Sequence, residues 1–88
     1  MIQLKPNDAI GYNNRAWNYH LAGRDAEGLP DANQAVSLAP NDAGTIETRA
    51  EIFEKLGQRD KAIADYRQSL LLDSMKRALE GLKRLDVN

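Results

Sequence analysis

Cysteine is missing from all 88 residues, which excludes disulfide staples, thiolate zinc sites and cysteine nucleophiles. Histidine occurs once, at His20. With no second imidazole or thiolate to complete a ligand set, no metal and no other cofactor is expected. No apolar run approaches the roughly 18 residues of a membrane span. The opening MIQLKPND has neither the apolar stretch nor the cleavage signature of a secretory signal, so a cytoplasmic setting is expected. An excess of either charge is lacking too: the formal net charge is −1, which argues against a nucleic-acid binder. Aromatic residues are few, and a single domain of this length buries a small share of its surface. Such a chain needs regular packing or a neighbour. Ile2 and Leu4 read as the last turn of a helix whose body lies upstream, as in an excised piece of a longer protein.

No segment alternates as a strand does. The apolar residues recur with the helical period instead. Residues 9–22 place Ile10, Tyr12, Ala16, Tyr19 and Leu21 on a helix that Gly23 ends. Asp25 is read as the cap of the next helix, residues 26–38, with Leu29, Ala32, Ala35, Val36 and Leu38. Pro40 stops it, and Asn41 and Asp42 offer cap chemistry for another start. Residues 43–56 carry Ile46, Ala50, Ile52, Phe53 and Leu56 up to Gly57. Residues 60–72 carry Ala62, Ile63, Tyr66, Leu70 and Leu72. A last stretch carries Met75, Ala78, Leu79, Leu82 and Leu85. The expected fold is all-α with short antiparallel connections.

The phrase PNDA occurs at 6–9 and again at 40–43, a shift of 34 residues. The same shift lays Ala16 on Ala50, Tyr19 on Phe53, Gly23 on Gly57 and Leu38 on Leu72. A fixed period of this size marks stacked repeats. Thirty-four residues built as helix–turn–helix resemble the tetratricopeptide repeat. In the first copy Tyr12, Ala16 and Tyr19 fill the bulky, small and aromatic slots of that family's pattern, Gly28 the next small slot, and Pro40 the closing proline. Ala32 stands where a second aromatic is usual. In the second copy the slots hold Ile46, Ala50, Phe53, Ala62 and Tyr66, with Ser74 in place of proline. Arg15 and Arg49 depart from the pattern, standing where leucine is usual. They are expected to pack their stems and turn their guanidinium heads toward a carboxylate or carbonyl at a helix edge. The resemblance implies a short right-handed α-solenoid: 1–6 the tail of a preceding repeat, 7–40 and 41–74 two repeats, and 75–88 a terminal capping helix.

The resemblance also implies a non-catalytic protein–protein interaction module. In that family the first helices of successive repeats line a concave groove that holds a peptide or a helix. Here the corresponding stripe falls on Asn13, Asn14, Trp17, His20 and Leu21 in the first copy. In the second it falls on Glu47, Thr48, Glu51, Glu54 and Lys55. Trp17 lies about 100° around the helix from Ala16, either aimed into the groove or packed on the next repeat. Glu47, Glu51 and Glu54 form an acidic row, read either as a solvated face or as a wall favouring basic or aromatic-rich partners over acidic tails. Lys76, Arg77, Lys83 and Arg84 are read as the solubilising face of the cap. Catalysis finds no support: the carboxylates sit at helical spacing on one face, there is no glycine-rich phosphate loop, and the lone histidine has no partner set.

A rival from another class is a structural or oligomerising piece, and a weaker one is a regulatory appendage of a larger enzyme. The junction after Leu72 bears on the first of these. No proline follows it, and the apolar stripe Leu72, Met75, Leu79, Leu82 continues at helical spacing. Either Asp73 or Ser74 caps a separate last helix, or the last two helices fuse into a rod. A fused rod needs a second chain, such as a homodimer domain-swapped through 61–85.

Overall fold

The computed structural model describes residues 7–73 and 76–85. It contains five helices: α1 Ala9–Leu21, α2 Asp25–Leu38, α3 Ala43–Lys55, α4 Arg59–Leu72 and α5 Lys76–Arg84. The described residues hold no strand. Sequence chemistry fixes where each helix starts and stops. Asp8 caps α1, its carboxylate accepting from the Gly11 amide at 2.9 Å. Asp42 repeats this for α3, accepting from the Gly44 amide at 3.1 Å and the Thr45 hydroxyl at 2.6 Å. Gly23 and Gly57 end α1 and α3 with φ of 73° and 77°, a left-handed turn that costs glycine nothing. Behind each, the amide three residues past the helix returns to its last turn, Arg24 to the Tyr19 carbonyl and Gln58 to the Phe53 carbonyl.

One expected cap does not form. The cap of α2 is Arg24, whose side chain makes no capping hydrogen bond to the helix backbone and pairs with Glu27 instead, and Asp25 is already helical. The Asp25 carboxylate is taken instead by His20, whose Nδ1 lies 2.6 Å from Oδ1. A second feature has no counterpart in the periodicity: Pro30 sits inside α2. It is exposed, so its ring meets solvent while the helix forgoes one backbone bond.

The helices form two layers. α1 packs on α3 and α3 on α5, so the odd-numbered helices make one continuous row. α2 rests against α1 and α3, and α4 against α3 and α5. α2 and α4 do not meet among the described residues. The odd-numbered helices thus form one layer, and α2 and α4 form the other.

Two core clusters follow the same order. Ala16, Ala32 and Ile52 join the first helix pair to α3, with Leu29 and Leu56 against them. Ala50, Phe53, Ala62, Tyr66, Ala78 and Leu82 join the second pair to α5. Small residues set the close crossings. A Cβ on Gly28 would stand 3.0 Å from the Ala16 carbonyl oxygen and from the Tyr19 Cβ. A Cβ on Gly81 would stand 2.3 Å from the Tyr66 ring, so the ring lies directly on the α5 backbone.

The last helix is therefore a separate element folded back over the second pair. Asp73 breaks from α4 in an extended conformation, φ −161° and ψ 141°. The readings that fall on residues 1–6, Ser74 and Met75, and on the side chains of Lys76 and Arg77, lie outside the described residues.

Candidate functional site

The residues singled out from the sequence all lie on the α1–α3 side of the molecule, but they do not share one environment. Ile10, Trp17 and Leu21 are spaced i, i+7, i+11, which puts them on one edge of α1. Ile10 and Leu21 are exposed, at 72% and 68%, and Trp17 is half-buried. The Trp17 ring leans on the His20 ring, with centroids 5.0 Å apart at an interplanar angle of 39°. Trp17 belongs to neither core cluster. Asn14 is exposed beside this edge and Asn13 is half-buried. The Asn13 Oδ1 is buried with no hydrogen-bond partner among the described residues.

His20 points the other way, across to α3. Its Nδ1 meets Asp25 and its Nε2 lies 3.7 Å from Glu51 Oε1. One imidazole thus ties the last turn of α1, the start of α2 and the middle of α3. Sequence reading placed His20 in the stripe and missed Asp25 as its partner, because five residues and a turn separate them.

The acidic row is not a solvated face. Glu47 is 1% exposed. Thr48 is buried and spends its hydroxyl on the Gly44 carbonyl at 3.0 Å. Glu51 faces His20. Glu54 accepts from the Tyr66 hydroxyl at 2.7 Å and from Arg84 Nε and Nη2, each at 3.1 Å. Burial pushes the Glu54 carboxyl up, but the bonds from Arg84 and Tyr66 outweigh it and hold the group below its ordinary range. The same contacts act on the partners. Burial, and then the bond to Glu54, push the Tyr66 phenol up, and the bond to Glu54 pushes the Arg84 guanidinium up. Arg84 was read as part of an outer solubilising face, and it folds onto Glu54 instead. Lys83 is exposed.

The arginines in the leucine slots do what their chemistry suggests. Arg15 makes a bidentate pair with Asp31 at 2.5 and 2.7 Å, and Arg49 makes one with Asp65 at 2.7 and 3.0 Å. Both reach sixteen residues ahead. Arg49 also donates to Asn33 Oδ1 at 3.3 Å, across the junction of the two pairs. It lies with Lys61 against the Phe53 ring, 5.6 and 5.7 Å from its centroid. These pairs are on the α2/α4 side and serve the scaffold.

Comparison with known proteins agrees with this architecture. Residues 45–74 match the family profile described as tetratricopeptide repeat. The chain is 31% identical over 91 residues to Hsp70-Hsp90 organizing protein 1 of Glycine max, covering 94% of this chain and 16% of that protein. It thus spans about a sixth of that relative's length. The second TPR domain of human RPAP3, solved in complex with the HSP70 peptide SGPTIEEVD, superposes with a TM-score of 0.84 at 26% identity, over 91% of this chain and 68% of that one. The first TPR of Spaghetti (RPAP3), bound to the HSP90 peptide SRMEEVD, superposes with a TM-score of 0.89 at 24% identity, over 93% and 66%.

Both of those peptides are acidic, which runs against the preference for basic partners expected from the glutamate row. The physical reason lies in this chain: carboxylates engaged by His20, Tyr66 and Arg84 are not a wall of free negative charge. The antiparallel helix pairs, the 34-residue register of caps and glycines, and the match at 45–74 converge: the chain belongs to the tetratricopeptide-repeat family.

Proposed function

We propose that this chain is a non-catalytic binding module that receives a segment of a partner protein along the concave row of α1, α3 and α5. Its two units span 7–40 and 41–74, and it works in a cytoplasmic setting. The observation that carries the reading is the apolar edge of α1. Ile10 and Leu21 are large and exposed on one edge of α1, with the Trp17–His20 ring pair between them. Isolated exposed apolar residues need no explanation, but two on one helix edge with an aromatic ring pair between them make an anchoring surface. Asn13, with its orphaned carbonyl oxygen, offers an amide to a peptide backbone once its side chain turns.

The same environments support the absence of chemistry. General acid–base work needs a carboxyl or imidazole open to a substrate. Here Glu54 and His20 are turned into partners within the fold. The peptides in the RPAP3 and Spaghetti complexes show what those domains take, and they serve here as probes.

The test is a titration followed by calorimetry, using SGPTIEEVD, SRMEEVD and a panel of neutral apolar and basic peptides. A saturable ligand is expected from this set. Trp17→Ala and Leu21→Ala should each weaken it by about tenfold, the size of a ~1.4 kcal/mol anchor. Ligands that bind with unchanged affinity to both variants would remove the α1 edge from the site and overturn the proposal.

A further inference from the structure

We propose that a helix of a partner protein docks in the groove lined by Arg15, Asn18, Tyr19, Ala22 and Arg24. It presents an aliphatic side chain and, one turn later, a carboxamide oxygen to the Arg15 guanidinium. This goes beyond the reading of the α1 edge and does not depend on it. The groove is open and has a volume of about 240 Å³. At about 100° per residue, Arg15, Asn18 and Ala22 lie on the face of α1 next to the edge of Ile10, Trp17 and Leu21.

The second helix pair contains the same seat, filled. At the 34-residue register the lining residues become Arg49, Ile52, Phe53, Leu56 and Gln58, and α2 lies over them. Leu29 packs with Ile52 and Leu56 in one cluster. Asn33 Oδ1 accepts from Arg49 Nη1 at 3.3 Å. Both arginines give Nε and one terminal nitrogen, Nη2, to their aspartates. The other terminal nitrogen, Nη1, goes to Asn33 in Arg49, whereas that of Arg15 donates to no described residue. The Arg15 side chain is accordingly 40% exposed, and that of Arg49 only 24%. One fold thus holds the occupied and the open form of a single seat.

The differences between the two forms define the occupant. Asn18 stands for Ile52 and Ala22 for Leu56, so docking buries less apolar surface than the contact between the pairs. Tyr19 stands for Phe53 and adds a hydroxyl, and the Arg24 guanidinium lies over its ring at 5.3 Å. The groove offers N–H and O–H donors beside the Tyr19 ring and Ala22, which suits a carbonyl acceptor next to an aliphatic group. On α2 that pair is Leu29 and Asn33, one turn apart on one helix face. A second copy of the chain does not supply it. Its α2 already spends Leu29 and Asn33 on its own α3. On α4 the equivalent residues are Ile63 and Arg67. Ile63 packs on the cluster that holds Leu82, and Arg67 would set a second guanidinium against Arg15.

The probe is a synthetic peptide of residues 25–38 held helical by a hydrocarbon staple in place of the side chains at 26 and 30. Both positions are exposed in the fold. The peptide is titrated into the labelled chain and followed by amide and arginine side-chain chemical shifts. Saturable shifts are expected at the Arg15 Nε–H, the Asn18 side-chain amide and Tyr19. An Asn33→Ala peptide should bind about fivefold more weakly, as the loss of one hydrogen bond requires. In the chain, Asn18→Ile with Ala22→Leu copies the filled seat and should tighten binding about tenfold through added apolar contact. Both residues are exposed, so helical circular dichroism should be unchanged. No shifts at Arg15 and Asn18 up to millimolar peptide, with wild type and double variant alike, overturn the proposal. An Asn33→Ala peptide of equal affinity does the same. Shifts confined to Arg49 and Phe53 would mean that the peptide displaces α2, and shifts confined to Ile10, Trp17 and Leu21 that it binds the α1 edge. Either result overturns the groove. A double variant that sediments at twice the 9.8 kDa monomer mass without peptide would make a second copy the occupant, which overturns it too.

Discussion

Arg49 shows how a residue that departs from its family's pattern is kept in place by a partner far along the chain. Its guanidinium satisfies an Asp65 side chain that is only 11% exposed. Replacing Arg49 by leucine restores the usual residue but leaves that carboxylate without its main partner, at a cost of about 1–3 kcal/mol. Replacing both residues by leucine removes the orphan, and such exchanges of a sheltered pair for apolar groups are often close to neutral. Urea melts of the two single variants and the double variant should therefore show a coupling of more than 1 kcal/mol. Additive effects would mean that the pair contributes nothing as a pair.

Glu54 gives a second residue-scale expectation, with a sign. Its folded carboxyl lies below its ordinary value, so the stability it contributes is present above the unfolded glutamate range of about 4.3. That contribution is lost as pH falls through the lower, folded value. Since Glu54 holds Arg84 and Tyr66, protection of the α5 amides, measured relative to their intrinsic exchange rates, should be lost on acidification before that of α1. Glu54→Gln should remove most of this difference, and a pH response retained in full by that variant would refute the assignment.

Among the elements, α2 and α5 are the two whose sequences conflict with their structures. Proline in a helix interior costs up to about 3 kcal/mol relative to alanine. Pro30 is exposed, so Pro30→Ala removes no packing. It should stabilise the chain by ~1–2 kcal/mol, several degrees in a thermal melt for a domain of this size. No change in melting temperature would mean that the proline's fixed φ offsets the lost bond. In α5, Gly81→Ala gains helix propensity but drives a methyl into the buried Tyr66 ring. Overpacking should dominate, by about 1–3 kcal/mol.

The pattern of what was legible follows from these cases. Helix spans, glycine stops and the aspartate caps of α1 and α3 are local events, and the 34-residue repetition of PNDA announced them. The pairing of His20 with Asp25, and the burial of Glu47 and Glu54 under their neighbours, depend on which helix faces cross. A single stripe of glutamates looks the same in sequence whether it meets water or Arg84. The register carried the missing signal: Glu47 corresponds to Gly81, the position on which Tyr66 rests, so a buried contact was to be expected at Glu47 as well.

At the scale of the whole molecule, the touching row of α1, α3 and α5 and the splayed pair of α2 and α4 divide the surface into two unlike sides. The side of α2 and α4 carries the bidentate arginine pairs, each satisfied within the fold. The layer of odd-numbered helices carries the exposed apolar edge of α1 and the ring pair. If the chain is an adaptor for a partner segment, ligand contacts belong on the second surface. The most direct measurement is amide chemical-shift mapping of the labelled chain against any peptide that calorimetry shows to bind. The account predicts that the largest shifts run along Ile10–Leu21 and residues 44–55, with the Trp17 indole signal among them. Shifts confined to α2 and α4, around Asn33, Lys61 and Asp65, would contradict it.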